Sequence, residues 1–353
     1  MNVVVLIPSL NPDETLLRVV EAIRGQGFSR FVIVDDGSRA DCRPVFDTLE
    51  QQGCAVVRHA VNLGKGRALK NGFNYVLNHL PDAAGVVTCD ADGQHEPAAI
   101  RATAEAVLAH PDRVILATRQ FFRAEVPWKN LAGNTITRGM FYLLTGQRFG
   151  DTQCGLRGFP QALLGAMMAV DGERFEYENV MLLALRRRGL PYAELPIRPD
   201  YQAGGQPSHF NKLVDSVRIY RRLLAFGLLP LLCAVAAGLL YRATAGSLTP
   251  PWAAVLGMAV GWAALWAMNP PKKPAMIALS AALAALSGAL VWVFHGPCGL
   301  PATGAWWLMA LLCLPSGYAI WLHGRFGARP SRLFLADPSA VANDVDKGLD
   351  TAR

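Results

Sequence analysis

The segment Val86-Val87-Thr88-Cys89-Asp90-Ala91-Asp92-Gly93-Gln94-His95 is the part of the chain that most directly predicts the fold. It begins with apolar, β-branched residues, which indicate a buried strand of a parallel sheet. Two carboxylates follow where that strand ends, and Gly93 allows the backbone to turn there. In an open α/β sheet, ligands bind beyond the carboxyl ends of the strands. The segment therefore predicts a ligand site at the edge of such a sheet.

The two carboxylates of this segment are spaced to share a cation. Asp90 and Asp92 alternate along extended backbone, so both side chains can point at one ion, and Gln94 continues the alternation with a neutral carbonyl oxygen. Hard divalent cations such as Mg²⁺ take carboxylates together with phosphate oxygens of a substrate. An Asp-X-Asp pattern alone is more often an acidic turn than a cation site. Other features of the sequence are needed to distinguish the two.

Strand and helix patterns alternate through the first 119 residues. This alternation predicts a parallel sheet with right-handed connections. The predicted strands are Val3–Ile7, Phe31–Val34, Ala55–Arg58, the strand before Asp90, and Val114–Ala117. Helices are predicted from Asp13 to Arg24, near 41–52, from the Gly64 loop to about His79, and from about Pro97. Three of the strands end in polar or charged residues, so this edge is where we expect a nucleotide to bind.

The loop Gly64-Lys65-Gly66 opens one of these helices but matches no standard phosphate-binding pattern. It has neither the Walker A spacing nor the Gly-x-Gly-x-x-Gly spacing. A helix N-terminus that carries Lys65 and Arg67 is able to bind a phosphate. Ordinary capping of the helix is the alternative, and it stays open at this point.

Composition divides the chain into a soluble half and a membrane half. The sequence is 52% hydrophobic and 17% charged, and it contains no Asp or Glu between Asp215 and Asp337. Four apolar spans lie in that stretch, at about 223–241, 252–268, 275–294 and 304–322, each near the length that crosses a bilayer. Residues 208–222 predict an amphipathic helix in the membrane interface. Burial of the spans in a soluble core is the alternative.

The basic residues around the spans predict their orientation. Lys272 and Lys273 lie between the second and third spans, and Arg325 follows the fourth. The positive-inside rule predicts that the domain 1–207, the middle loop and the tail 323–353 are cytoplasmic. The spans themselves are predicted to lie in the inner membrane. We expect the end of that tail to be disordered.

Net charge and cysteine usage exclude other classes of protein. The net charge of +7 reflects basic residues beside apolar segments, which favours a membrane surface or a phosphorylated substrate and argues against nucleic acid. The seven cysteines are scattered without a Cys-x-x-Cys pair, which argues against a disulfide framework or a zinc site.

With these residues in hand, the soluble half resembles glycosyltransferase family 2 of fold type A. The resemblance covers about residues 2–224 and is to the polyprenyl-phosphate glycosyltransferase branch, which includes dolichyl-phosphate mannose synthase-like enzymes. It rests on six motifs in order: Ile7-Pro8-Ser9-Leu10-Asn11, Val34-Asp35-Asp36-Gly37-Ser38, Asn62-Leu63-Gly64-Lys65-Gly66, Cys89-Asp90-Ala91-Asp92-Gly93-Gln94-His95, Thr118-Arg119, and Asp151-Thr152-Gln153-Cys154-Gly155-Leu156-Arg157.

The resemblance implies a Rossmann-like, mostly parallel α/β domain and a set of site residues. Asp35 or Asp36 would hold the base and ribose of a nucleotide-sugar. The full set expected to bind that donor is Pro8, Asn11, Glu14, Asp35, Asp36, Lys65 and Asp90. Asp90, Asp92 and Gln94 match positions that bind Mg²⁺ or Mn²⁺ on the diphosphate.

The same resemblance assigns catalytic and acceptor residues. Asp151 is a candidate catalytic acid, Arg157 closes the same loop, and Arg119 matches an arginine that contacts the acceptor phosphate. The sequence departs from the family pattern in two places, near the N-terminus and in the segment expected to bind the acceptor. Leu10 and Pro12 alter the usual Pro-x-Tyr-Asn-Glu opening. A second acceptor arginine, expected within residues 128–131, is missing, so Lys129 or Arg138 would serve instead.

The implied activity is an inverting transfer of one sugar from a UDP- or GDP-linked donor to a polyprenyl phosphate. A processive polysaccharide synthase is disfavoured because no Gln-x-x-Arg-Trp motif occurs. A non-catalytic lipid-transport or scaffold protein is the other alternative. The four spans resemble a GtrA-like membrane module in layout, which leaves open whether they anchor the domain or move lipid, and whether the chain forms a homo-oligomer.

Overall fold

The fold is described from a computed structural model of the 353-residue chain. The structure describes residues 1–119, 128–197, 235–244, 247–268, 274–326 and 330–335. The chain divides into two compact units. The first comprises Met1–Tyr142, Gln147–Tyr220 and Pro330–Arg353, and the second comprises Leu143–Gly146 and Arg221–Arg329. The predicted interface helix at 208–222 lies outside the described residues.

The first unit is built on one sheet. Its strands are β1 (Val3–Ser9), β2 (Phe31–Asp35), β3 (Ala55–Arg58), β4 (Gly85–Thr88), β5 (Val114–Arg119), β6 (Arg157–Pro160), β7 (Tyr192–Ile197) and β8 (Arg332–Phe334). They are ordered β3-β2-β1-β4-β6-β5-β7-β8. All pairs are parallel except the two that involve β6, which confirms the prediction of a mostly parallel α/β sheet.

Helices connect these strands along the chain. They are α1 (Thr15–Arg24), α2 (Arg43–Gln51), α3 (Lys65–His79), α4 (Pro97–Ala109), α5 (Trp128–Thr145), α6 (Leu164–Met168) and α7 (Glu176–Arg188). The first helix begins two residues later than predicted. Asp13 precedes the helix, and its carboxylate accepts a hydrogen bond from the Thr15 amide at 2.8 Å, which stabilises the turn that leads into α1.

Strand β1 lies inside the sheet because its sequence is apolar on both faces. Val3, Val5 and Ile7 are fully buried in the main core of the unit. Val4 and Leu6, which alternate with them along the strand, are fully buried on its other face. β1 pairs with β2 from Val5 opposite Phe31, and with β4 from Val3 opposite Gly85. A strand buried on both faces is what helices on the two sides of a parallel sheet require.

Strand β6 is the one antiparallel member of the sheet among the described residues. It lies between β4 and β5, with Thr88 opposite Arg157. Because it runs against its neighbours, its first residue lies at the edge where the parallel strands end. The loop from Asp151 to Arg157 is thereby brought to the predicted ligand edge.

Strand β8 comes from the segment that the sequence predicts to be a cytoplasmic tail. Residues 332–334 pair in parallel with β7, from Tyr192 opposite Arg332 to Glu194 opposite Phe334. Leu333 and Leu335 pack against the main core. Part of the predicted tail 323–353 is therefore a strand of the first unit, and residues 336–353 lie outside the described residues.

The described part of the second unit is helical. Its helices are α8 (235–244), α9 (Pro250–Met268), α10 (Ala275–His295) and α11 (Ala302–Phe326). Their shared core is rich in aromatic and aliphatic side chains, including Tyr241 stacked on Trp306 at 4.5 Å between ring centroids. This core buries one face of each of the four helices.

The sequence predicts four membrane spans, and the described residues contain two helices that are long and apolar enough to cross a membrane. They are Pro250–Ala267 and Ala275–His295. Only a third of the residues in each of these stretches is buried, and large apolar side chains such as Trp252 and Trp292 are 67% and 60% exposed. The core helix of a soluble protein would instead be mostly buried. The first predicted span, 223–241, lies largely outside the described residues, and the fourth falls within α11, which is not one of the two.

Gly37, two residues after β2, lies where two loops at the sheet edge approach each other closely. Gly37 has φ of +73°, and a Cβ there would lie 2.2 Å from the Val61 carbonyl carbon. Gly27 has φ of +88°, and a Cβ there would meet nothing within 4 Å. We expect Gly37→Ala to destabilise the first unit by about 1–3 kcal/mol more than Gly27→Ala, because only the former adds a collision to the backbone strain.

The two thermal midpoints can be compared on the full chain in detergent with a thiol-reactive dye, since Cys54, Cys89 and Cys154 are buried in the first unit. Equal midpoints for the two variants would contradict the close approach of the two loops.

Candidate active site

Residues from four parallel strands meet at one edge of the sheet. β1, β2, β4 and β5 all end there, and β6 begins there. Since the carboxyl ends of parallel strands share an edge, the segments that carry Asn11, Asp35, Asp90 and Arg119 leave the sheet on the same side. Arg157, the first residue of the antiparallel strand, lies at this edge as well.

Asp36 is committed to holding the loop in front of α3. It is buried, and its carboxylate accepts hydrogen bonds from the amides of Leu63 at 2.9 Å and Gly64 at 2.8 Å, and from His59 Nδ1 at 2.8 Å. The Asn71 amide donates to the other nitrogen of that ring at 2.9 Å, which fixes the tautomer with the proton on Nδ1. The carboxylate of Asp36 therefore organises the loop.

Asp35 is more exposed than Asp36. It is half-buried, and one carboxylate oxygen accepts a hydrogen bond from the Ser38 amide at 2.8 Å. The neighbouring loop is tied to it by Asn11, which has φ of +50°. The Asn11 amide donates to Ser38 Oγ at 2.8 Å, and Asn11 Oδ1 accepts from the Arg39 amide at 2.9 Å. These bonds lock the β1 and β2 edge loops together.

Two further residues of the predicted donor set lie on the same β1 segment. Pro8 is within β1, opposite Val34 of β2. Glu14 is exposed just before α1. Their placement on this edge does not test their part in binding the donor, and both roles stay predictions.

Lys65 forms the centre of a charge cluster at the start of α3. Its ammonium lies 2.7 Å from Asp90 Oδ1 and 3.1 Å from Glu178 Oε2, the latter on α7. Burial opposes the charge, but the two carboxylates outweigh it and raise the pKa of Lys65 above its ordinary value. The N-cap residue of α3, Gly64, makes no side-chain hydrogen bond to the helix. The contacts of the Lys65 ammonium are ion pairs with Asp90 and Glu178.

Asp90 is enclosed by partners from three segments. Its side chain is 30% exposed, and His95 Nε2 lies 3.5 Å from its second oxygen. A Cβ on Gly155 would come within 2.6 Å of that oxygen, so the β6 loop can approach only because this residue is glycine. Burial favours the protonated acid, but Lys65 and His95 dominate and hold the pKa of Asp90 well below its ordinary value.

Asp92 is in the opposite electrostatic situation. Burial and the nearby charge of Asp90 raise its pKa above the ordinary value. Its Oδ1 accepts a hydrogen bond from the Gln94 amide at 3.1 Å, across the turn made by Gly93. Gln94 itself is exposed. The two carboxylates therefore repel one another, and a cation between them would relieve that repulsion.

The donor chemistry of this turn fits Mg²⁺ or Mn²⁺ with a substrate completing the coordination. Within the described ranges, no group of three His, Cys, Asp or Glu side chains is arranged to hold a metal ion. A site made from Asp90, Asp92 and Gln94 would supply only part of a coordination sphere. Mg²⁺ is commonly bound in this way, by one or two carboxylates plus phosphate oxygens and water.

Arg119 and Asp151 form a second charged pair at the edge. Arg119 Nε donates to Asp151 Oδ2 at 2.6 Å, and a terminal nitrogen donates to Oδ1 at 3.2 Å. The Asp151 side chain is fully buried and also accepts from the Gln153 amide at 2.9 Å. A bidentate, buried pair of this kind fixes the orientation of the guanidinium.

Helix α5 supports the loop that carries Asp151. Arg138 Nε donates to the Phe149 carbonyl at 2.9 Å. Buried Asn134 accepts at Oδ1 from the amide and hydroxyl of Thr152, at 3.2 and 3.0 Å. Arg138 is therefore next to the predicted acceptor residues, whereas the side chain of Lys129 lies outside the described residues.

Arg157 is buried and bonded to backbone. Its Nε donates to the Cys154 carbonyl at 3.1 Å, and another nitrogen donates to the Glu178 carbonyl at 2.8 Å. It ties the Asp151 loop to α7, the helix that supplies the second carboxylate to Lys65. Its predicted catalytic role is not tested by these contacts, which support a role in positioning.

Sequence reasoning missed the roles of Glu178 and Gly155. Glu178 lies 113 residues from its lysine partner, in a helix whose pattern alone carries no sign of a site. Gly155 belongs to one of the six motifs, and its close approach to Asp90 is the physical reason for a glycine there.

The electrostatics of the acidic turn predict opposite effects of two similar variants. In metal-free buffer, Asp92→Asn removes the carboxylate whose pKa is raised, so its charge at neutral pH costs stability. We expect a thermal midpoint about 2–4 °C higher, the effect of ~1 kcal/mol in a domain of this size. Asp90→Asn removes the partner of Lys65, and we expect the midpoint to fall.

The sign of the pH dependence follows from the same shifts. Stability from Asp90 is present above its unfolded pKa and is lost only as pH falls through its depressed folded pKa. The difference between wild type and Asp90→Asn should thus persist at neutral pH and shrink in strong acid. Two midpoints that shift in the same direction at neutral pH would contradict the assigned environments.

Comparisons with known proteins show which family and which enzymes this chain is similar to. The family described as "Glycosyl transferase family 2" matches residues 4–168. An uncharacterized protein of Methanocaldococcus jannaschii is 27% identical over 204 residues, which is 57% of this chain and 82% of that protein. The UDP-N-acetylglucosamine–dolichyl-phosphate N-acetylglucosaminyltransferase of Methanococcus voltae is 24% identical over 237 residues, 62% of this chain and 94% of that enzyme.

Among solved structures, glucosyl-3-phosphoglycerate synthase from Mycobacterium tuberculosis, in complex with Mn²⁺, uridine diphosphate and phosphoglyceric acid, is similar with a TM-score of 0.46. It is 17% identical in sequence, and the similarity covers 64% of this chain and 77% of that one. The segment of this chain that matches the family contains β2 to β6 and all of β1 except Val3. It includes Lys65, Asp90, Asp92, Arg119 and Asp151, whereas Glu178 lies outside it.

Proposed function

We propose that this protein transfers one sugar from a nucleotide-sugar to the phosphate of a polyprenyl lipid, with inversion at the anomeric carbon, on the cytoplasmic side of a membrane. The observation that carries the proposal is the presence of two distinct charge clusters at one sheet edge. Asp90 and Asp92 suit a cation-bound diphosphate, and Arg119, held by Asp151, suits a phosphate. A glycosyl transferase family 2 domain followed by apolar helices is the setting in which both would be used.

On the donor side, the chain supplies binding and electrostatics. Asp35 would hold the ribose. Lys65 lies beside the acidic turn, where its charge would offset that of a diphosphate. Asp90, Asp92 and Gln94 would hold Mg²⁺ or Mn²⁺, which supplies Lewis-acid stabilisation of the charge that develops on the leaving diphosphate. Gly155 allows the β6 loop to approach Asp90 closely.

On the acceptor side, the reaction needs orientation more than proton transfer. A phosphate monoester is an anionic nucleophile near neutral pH, so no strong general base has to deprotonate it. Arg119 would bind this phosphate, and Asp151 would hold the guanidinium in place through its bidentate contact. Arg138 and Lys129 are the candidates for a second cation. In this proposal Asp151 is a positioning residue, because its carboxylate is fully buried against Arg119.

The acceptor class has support from a relative. The Methanococcus voltae enzyme is named for a UDP-linked donor and dolichyl phosphate, and its match covers nearly its full length. A UDP-linked sugar and a polyprenyl phosphate are accordingly the first substrates to test.

The sheet supports a topology in which the catalytic domain and the segment after α11 share one side of the membrane. β7 ends at Ile197 and β8 begins at Arg332, and the two strands pair within the first unit. A chain that leaves a sheet and returns to it must cross a membrane an even number of times in between. Two or four crossings satisfy this requirement, and three do not.

The activity is tested with the purified full chain, a panel of radiolabelled nucleotide-sugars, polyprenyl phosphate, and Mg²⁺ or Mn²⁺. We expect transfer of one sugar to the lipid, detected by mass spectrometry. Asp92→Asn should lower the rate about a hundredfold or more, because it removes electrostatic stabilisation of the leaving diphosphate.

Arg30→Gln is a matched control for that assay, since it breaks an exposed ion pair with Asp82 away from the described site. Its rate should equal that of wild type. Products that carry many sugars would favour a processive synthase. Metal-independent lipid movement without turnover of any donor would favour a transport protein, and either result would overturn the proposal.

The topology is tested with an impermeant maleimide on intact cells, in a Cys233→Ser background. Cys298 is exposed between α10 and α11, and the positive-inside rule places this loop on the outer face. We expect it to react in intact cells. A Gln52→Cys variant that also carries Cys298→Ser has its probe in the first unit and should react only after lysis. Labelling with the reverse pattern would refute the assigned orientation.

A further inference from the structure

Glu194 of β7 is a buried carboxylate that the proposed reaction does not use. It is 3% exposed. One oxygen accepts a hydrogen bond from the Gly150 amide at 3.0 Å, and the other accepts from Arg332 of β8 at 2.6 Å. A buried charge is tolerated only when it is paired in this manner. Its two partners come from segments that are far apart in sequence, the loop at Gly150 and strand β8.

The Gly150 contact leads directly to the acceptor pair. Gly150 precedes Asp151, and a Cβ on it would lie 2.8 Å from Glu194 Oε2 and 2.6 Å from Thr118 Cγ2. The backbone at this point is thus confined between β5 and β7. Asp151, the next residue, holds Arg119 with a bond of 2.6 Å. Any movement of the Glu194 carboxylate would shift the loop that orients the guanidinium.

The Arg332 contact leads to the segment that follows α11. Arg332 is the first residue of β8, and backbone bonds secure the strand on both sides of it. The Tyr192 amide donates to the Ser331 carbonyl at 3.1 Å, and the Leu335 amide donates to the Glu194 carbonyl at 2.9 Å. Among the residues the structure describes, this arginine provides the cationic partner for Glu194.

We propose that Arg332, acting through Glu194 and Gly150, is a positioning residue for the Arg119–Asp151 pair, so that the strand after the last described helix completes the acceptor side of the active site. Removing the cation would leave the Glu194 carboxylate buried and uncompensated, and it would be expected to turn toward solvent or draw in water. The Gly150 amide would then lose its acceptor, and the Asp151 loop would lose its fixed position. The proposal rests on the proposed function for its kinetic consequence but not for its structural one.

The structural consequence is measured by hydrogen–deuterium exchange on the full chain in detergent. Arg332→Gln should speed exchange about tenfold in a peptide covering residues 147–156, where the Gly150 amide lies. A peptide covering 192–197 should keep most of its protection, because the backbone pairing of β7 with β5 does not involve the guanidinium. Arg332→Lys should restore most of the protection at 147–156, since it returns a positive charge to Glu194. Arg30→Gln, which also breaks an arginine–carboxylate pair, should leave both peptides unchanged.

The kinetic consequence is measured in the transfer assay. Arg332→Gln should raise the KM for polyprenyl phosphate about tenfold and leave the KM for the nucleotide-sugar within about twofold of wild type. Unchanged exchange at 147–156 would overturn the proposal. Loss of protection at 192–197 together with 147–156, or an equal rise in both KM values, would also overturn it, since Arg332 would then only hold the domain together. If the wild-type chain transfers no sugar, the proposed function fails while the exchange experiment still decides this inference.

Discussion

The first unit depends on the pairing of carboxylates that its fold removes from water. Asp36, Asp90, Asp151 and Glu194 are buried or half-buried, and each is matched by a donor from another part of the chain. A buried charge without a partner costs several kcal/mol, so these pairs admit few alternative arrangements of the loops around them. They specify how the sheet edge is assembled, whereas the apolar strands supply most of the driving force. The β2 loop is fixed to the α3 loop by Asp36, and β5 is fixed to the β6 loop by Asp151.

The sequence predicted those parts of the fold that depend on local patterns. The apolar runs of β1, β2 and β5 and the glycine-marked loops between them were sufficient for a mostly parallel sheet and for its ligand edge. β6, β7 and β8 were not predicted. β6 and β8 are short and their pairing is decided by distant partners, and Glu194 and Pro196 interrupt the apolar pattern of β7. Arg332, for example, is placed by a glutamate 138 residues earlier. The different surroundings of Asp35 and Asp36 could not be predicted either, because the bonds from Leu63 and Gly64 to Asp36 depend on the fold. In the second unit, composition predicted α9 and α10 with nearly correct ends, because a long apolar helix is its own signal.

The two charge clusters at the edge have opposite sign. Around Lys65, the carboxylates of Asp90, Asp92 and Glu178 outnumber the single ammonium, which leaves an excess of two negative charges. Along the Asp151 loop, Arg119, Arg138 and Arg157 outnumber one aspartate, which leaves an excess of two positive charges. In the proposed reaction, the first cluster would attract a divalent cation and the second would attract a phosphate. Both substrates are anions, so the cation would be needed to hold the donor diphosphate beside the negative cluster.

Each cluster also contains an ion pair that reduces its net charge and so weakens its attraction for an oppositely charged ligand. Lys65 lessens the negative charge that a cation would meet, and Asp151 lessens the positive charge that a phosphate would meet. An unpaired cluster would bind its ion more strongly, but its side chains would repel one another and spread apart while the ligand is absent. Paired side chains hold their geometry beforehand, so less ordering remains to be done when substrates arrive. In the proposed reaction, an anionic nucleophile would have to meet an anomeric carbon in line with a leaving diphosphate, and fixed direction would be worth more than added affinity.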